Sequence, residues 1–219
     1  MSWVQSVKRA LEKYEVSFEE TGRGNLVVKP VENPQIRLII LVRRMQFSFE
    51  RKFEITGVLE IPEERLEKHD KRQLLRRMLS ESVELELKGV LRRSVKASRW
   101  SGLASLTGIN MPEEEGIMRV IGTRDFEELV KRGGGDLIEI FPSIIPVELF
   151  ETYLMASDRG LITSSLVKKY LEDPQSISWI VRMHMLYGLQ SPGVVQKAFL
   201  TVVNLLKKIE EYTYTTLLP

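Results

Sequence analysis

The sequence predicts an α+β fold: a mainly antiparallel sheet with flanking helices in the N-terminal half, and a helix-rich C-terminal half around a small βαβ unit. Three patterns predict it. Apolar residues alternate over residues 45–61 and again over 83–97, which is the period of half-buried strands. Residues 36–42 are almost wholly apolar and β-branched, as in a strand covered on both faces. Beyond residue 146 the apolar spacing becomes helical, punctuated by Gly160, Pro174, Gly188 and Pro192.

Taken in order, residues 2–14 form an amphipathic helix. Trp3, Val4, Val7, Ala10, Leu11 and Tyr14 make one apolar stripe, and Ser2 with Gln5 fits a capping box. Strands at 16–18 and 26–28 flank a turn at 21–25, and Pro30 and Pro34 end the second. The apolar strand 36–42 follows and is expected in the sheet interior. In the next strand Met45, Phe47, Phe49, Phe53, Ile55, Leu59 and Ile61 share one face, while Gln46, Ser48, Glu50, Lys52 and Glu54 are expected on a wet face. Pro62 opens a short helix at 63–68, and Asp70 caps a second that buries Leu74, Leu75, Met78 and Leu79. A strand or hairpin spans 83–97. A linker is read at 101–116, dividing a sheet domain (1–100) from a βαβ piece with a helical region (117–219). In the second part, strand 117–121, helix 123–130 and strand 136–141 permit a βαβ crossover. Four helices are then expected, at 146–160, 163–173, 174–188 and 192–212.

Composition bounds the chemistry. The chain of 219 residues has no cysteine, which excludes disulfides, thiolate metal sites and a cysteine nucleophile. Its two histidines, His69 and His184, are far apart in sequence, so a histidine-rich metal centre is not expected, and no calcium-loop pattern occurs. Net charge is only +2, too small a field to demand an anionic partner by itself. No apolar run approaches the roughly 20 residues that span a bilayer, and the N-terminus is amphipathic, unlike a signal peptide. The expectation is a cytoplasmic protein without membrane contact, with the Glu/Lys/Arg-rich, Asn-poor usage of a thermophile.

Each chemical motif has a plainer explanation. Gly133, Gly134 and Gly135 follow a helix and precede a strand, where a helix stop belongs and a phosphate cradle does not. Gly22 and Gly24 also feed a strand. No nucleophile elbow, Walker lysine or H-E-x-x-H helix is present. His69 is expected to be solvated; His184, on the stripe Ile177, Ile180, Val181, His184, Tyr187, is expected to be a hydrogen-bonded core or interface histidine. Glu60, Glu63, Glu64 and Glu67 read as a solvated helix face, with Glu64–Lys68 and Glu67–Lys71 as i, i+4 pairs. No catalytic, cofactor or metal residue is assigned.

Two surfaces remain. Lys88, Arg92, Arg93, Lys96 and Arg99, followed by Trp100, form a basic segment without a carboxylate that suits phosphates and a stacked base. Arg43, Arg44, Arg51 and Lys52 form a second basic group. The last helix is apolar on more than one narrow stripe, and Val195, Phe199, Val202 and Leu206 are its candidate interface residues.

The order of the first elements resembles the type III secretion chaperone-like fold. The resemblance lies in the helix SWVQSVKRALEKY, the strands VSFEETGRGNLVVKP and IRLIILVRRMQFSFERKFEI, the helix KRQLLRRMLSES and the strand VELELKGVLRR. The segment LYGLQSPGVVQKAFLTVVNLLKKIEEY looks like the closing helix of that fold, whereas residues 98–185 have no counterpart in it. The resemblance implies a non-enzymatic protein that dimerises and binds polypeptides through apolar surface. The sequence therefore sets up a protein-interaction or chaperone-like module, with a protein partner or second copy. Nucleic-acid binding through Lys88 to Trp100 is the alternative, and a site assembled from dispersed carboxylates and arginines is a third.

Overall fold

The computed structural model describes residues 3–20, 26–30, 32–33, 35–44, 51–88, 94–99, 128, 131, 136–144, 146, 174, 176–185 and 192–219. Among the described residues eight strands form one sheet: β1 (Val16–Glu20), β2 (Leu26–Pro30), β3 (Ile36–Arg44), β4 (Arg51–Glu60), β5 (Val83–Lys88), β6 (Ser94–Arg99), β7 (Leu137–Ser143) and β8 (Ser178–Met185). Their order is β1-β2-β3-β4-β8-β7-β5-β6, and every pairing is antiparallel. The described helices are α1 (Trp3–Leu11), α2 (Glu63–Leu66), α3 (Lys71–Ser80) and α4 (Pro192–Tyr212), which runs on into a π-helical turn, Thr213–Leu217.

The two faces of this sheet differ because strand side chains alternate. One face carries Leu26 and Val28, Ile36 and Leu38, Ile55 and Leu59, Trp179, Val181 and Met183, Ile138 and Ile140, and Val83 and Leu85; all are buried. Helix α4 packs on it. A Cβ placed at Gly57 would lie 2.6 Å from Leu206 Cδ1 and from Val202 Cγ1, so helix and strand approach here as closely as a hydrogen side chain permits. Helix α1 packs in turn on α4. The Tyr14 and Phe199 rings meet at 5.7 Å, and Gln196 Nε2 donates to the Tyr14 hydroxyl at 2.9 Å. Burying each Leu, Val or Phe of this layer contributes roughly 1.5–3 kcal/mol.

The chain end is locked onto the same layer. Trp179 is fully buried, and its indole N–H donates to Thr213 Oγ1 at 2.9 Å, whose hydroxyl donates to the Ile209 carbonyl at 2.7 Å. Asp70 caps α3, its carboxylate accepting from the amides of Arg72 and Gln73, as the sequence predicts. From α3, Arg77 donates to the carbonyls of Thr216 and Leu217. Burial and neighbouring Glu210 push the Tyr214 hydroxyl above its ordinary 10.0, against the opposing pull of Arg65 over its ring.

Several expectations are corrected. Residues 178–185, read as part of a helix, are β8, an interior strand between β4 and β7. The C-terminal half therefore supplies two strands to the one sheet, and these sit between strands of the first hundred residues. The strand predicted at 136–141 is β7, but both its neighbours run antiparallel to it, so the parallel crossover of a βαβ unit has no place beside it. Pro142 is tolerated because β5 pairs only as far as Ile140, leaving no ladder bond on that side for an absent N–H. Glu54 does not face water: it is 3% exposed, since β8 covers the edge that the sequence leaves open. His69 is half-buried, and α2 ends at Leu66, before the i, i+4 pairs from Glu64 and Glu67 can form. The turn at 21–25, residues 45–50, the linker 101–116, strand 117–121, most of helix 123–130, Gly133–Gly135 and the helices at 146–160 and 163–173 lie outside the described residues.

Candidate functional site

The opposite face of the sheet is rich in charge. Antiparallel register sets His184 of β8 opposite Glu54 of β4, and Arg182 opposite both Thr56 of β4 and Glu139 of β7. Cross-strand neighbours on one face lie about 4.5–5.5 Å apart at Cβ, so these side chains must meet. Glu139 Oε2 lies 2.8 Å from His184 Nε2 and 3.6 Å from Arg182 Nη1. Glu54 Oε1 accepts from the Thr56 hydroxyl at 3.2 Å and lies 3.4 Å from Arg182 Nε; its Oε2 is 4.0 Å from His184 Nδ1. The Phe141 ring supports the guanidinium, 5.1 Å from its centroid.

Burial grades across the cluster. The Glu54 and Glu139 side chains are 4% and 14% exposed, and those of Arg182 and His184 are 23% and 30% exposed. The carboxylates thus form the floor, and the guanidinium and imidazole reach toward water. Arg182 Nε is buried and makes no hydrogen bond, so its attraction to Glu54 is ionic without directed geometry. Histidine with one ring nitrogen held by a carboxylate is fixed in orientation, leaving the other nitrogen for chemistry. Here that nitrogen faces Glu54 at 4.0 Å, too far for a direct hydrogen bond.

The residues singled out in the sequence fall elsewhere. Val195, Phe199, Val202 and Leu206, the candidate interface residues, are at most 2% exposed within a single chain and belong to its core. Lys88 ends β5, and Lys96 and Arg99 belong to β6, an outermost strand of the sheet. The register pairs Lys88 with Ser94 and Arg99 with Val83, at opposite ends of the ladder and roughly 17 Å apart along it. Arg92, Arg93 and Trp100 lie outside the described residues. The sequence identifies His184 as a hydrogen-bonded histidine but misses Glu54, Glu139 and Arg182 as its companions. The available signal was a run of apolar residues interrupted at 182 and 184 by two polar ones with strand spacing. Among the described residues no group of three or more His, Asp or Glu could hold a metal ion, and no helix is long and apolar enough to cross a membrane.

Fold and site together define an antiparallel α+β sheet protein, helix-covered on one face and carrying an ionic cluster on the other. No protein-family model, curated protein or solved structure matches the chain.

Proposed function

We propose that the protein binds a small polar ligand at the charged centre of its sheet and exchanges a proton with it at His184. The observation that carries this reading is the 2.8 Å contact between His184 Nε2 and Glu139, with Nδ1 turned toward Glu54 in a partly exposed cluster. Glu139 would hold the imidazole in place, Arg182 would balance developing negative charge, and Glu54 would be the second proton acceptor. Ionic groups removed from water carry a desolvation cost that apolar residues of similar volume would not incur. Polypeptide capture, the function expected from the sequence, would need surface other than Val195, Phe199, Val202 and Leu206, which are buried.

The two histidines make the test direct. Imidazole NMR signals of the 15N-labelled protein should fall into two sets, one per histidine, and a bound ligand should move the His184 set while leaving that of His69 in place. Screening a panel of small polar metabolites this way, any ligand found should lose at least about tenfold in affinity in Glu139→Gln, where the charged hydrogen bond to His184 is removed. Ligands that move only His69, or none that moves either, would sink the proposal.

One observation favours a second reading, nucleic-acid binding: by register the basic residues Lys88 and Lys96 share one face of an outermost strand pair. Such binding should show as retardation of single-stranded DNA or RNA at low salt, weakening steeply as salt rises, because counterions are released from the phosphates. Replacing Arg92 and Arg93 together with Ala should reduce both the affinity and the salt slope.

A further inference from the structure

A depression of about 520 Å³ lies on the charged face at its β1–β3 end, lined by Ser17, Phe18, Glu19, Val27, Lys29 and Arg37. That volume is within the range of small-molecule sites. The register that pairs Ser17 with Lys29 and Val28 with Leu38 brings Lys29 alongside Arg37 on the neighbouring strand. Two cationic side chains therefore stand on neighbouring strands at this end of the face. Arg37 Nε has a carboxylate 3.6 Å away in Glu60, on the side of β4. Among the described residues Lys29 makes no ion pair, and it is one of the residues that line the depression.

We propose that this depression is a second binding site, taking a small molecule that carries a phosphate or carboxylate group. The oxyanion would lie between Lys29 and Arg37 and accept a charge-assisted contact from each. The Ser17 hydroxyl, which donates to the Lys29 carbonyl at 3.3 Å, completes that polar end. Val27 supplies apolar wall for the rest of the ligand. Glu19 sets the orientation, because its carboxylate repels the anion from the end of the groove distant from Arg37.

Titration calorimetry of the full chain with inorganic pyrophosphate and, separately, succinate tests the site. Binding of either supports it, and the preferred anion tells phosphate from carboxylate. Lys29→Gln should weaken that binding about tenfold, the effect of losing one charged contact. Glu19→Gln should tighten it several-fold, and Lys197→Gln, on the exposed side of α4 across the sheet, should leave it unchanged. Equal weakening by Lys29→Gln and Lys197→Gln would reveal only diffuse attraction and overturn the proposal, as would failure of both anions to bind.

Discussion

Gly57→Ala is expected to destabilise the protein by about 2–3 kcal/mol, which is large for the addition of one methyl group. The added Cβ would stand 2.6 Å from Leu206 and Val202 and 2.9 Å from Leu38 Cδ2, all of them buried. None of these side chains can retreat without moving α4 off β4, because protein interiors are packed near crystal density. Gly193, in the first turn of the same helix, gives the matched control. A Cβ there meets nothing within 4 Å, so Gly193→Ala should stabilise by up to about 1 kcal/mol through helix propensity. Urea denaturation of the two variants should therefore move the midpoint in opposite directions with little change in slope.

Arg182→Met is expected to lower stability by about 3 kcal/mol, the usual loss when one member of a largely buried ionic cluster is removed. The methionine can still pack against Phe141, so the effect reports the missing charge more than missing volume. It leaves Glu54 at 4% side-chain exposure without its guanidinium neighbour, and Glu139 with His184 alone among these contacts. Arg37→Met provides the contrast. Its pair with Glu60 is 22% and 30% exposed at 3.6 Å, where screening by water keeps such pairs near 1 kcal/mol or below. A double-mutant cycle with Glu54→Gln should show a coupling of about 1–3 kcal/mol for Arg182 and Glu54.

The first hundred residues could be read from local pattern because their pairings are mostly between neighbours in sequence. The hairpin of β1 and β2, the interior position of β3, the cap at Asp70 and the hairpin of β5 and β6 all follow from turns and alternation nearby. The misreading of 178–185 has a specific cause. Ile177, Ile180, Val181 and His184 satisfy helical spacing, and Pro174 and Gly188 supply what look like a start and a stop. A short apolar run fits a doubly covered strand equally well, and its β-branched residues and Trp179 favour that outcome. Everything that depends on β8 was hidden with it. Glu54 was placed on a wet face because nothing near it in sequence announces the strand that closes over it. The ionic cluster draws its four residues from three distant segments, and no local spacing records such an encounter. The apolar excess of α4 was correctly seen, but whether a neighbouring strand or a second chain covers it is decided by tertiary packing.

The placement of 178–185 between β4 and β7 governs both the covered apolar face and the assembly of Glu54, Glu139, Arg182 and His184. Solution NMR of the labelled chain reads it directly through close Hα–Hα contacts between strands. Contacts from 178–185 to both 53–60 and 137–143, with strand-type carbon shifts throughout, are the expected result. A ladder of contacts between residues three and four apart within 178–185, and none to either neighbouring strand, would restore the helix and dissolve the site.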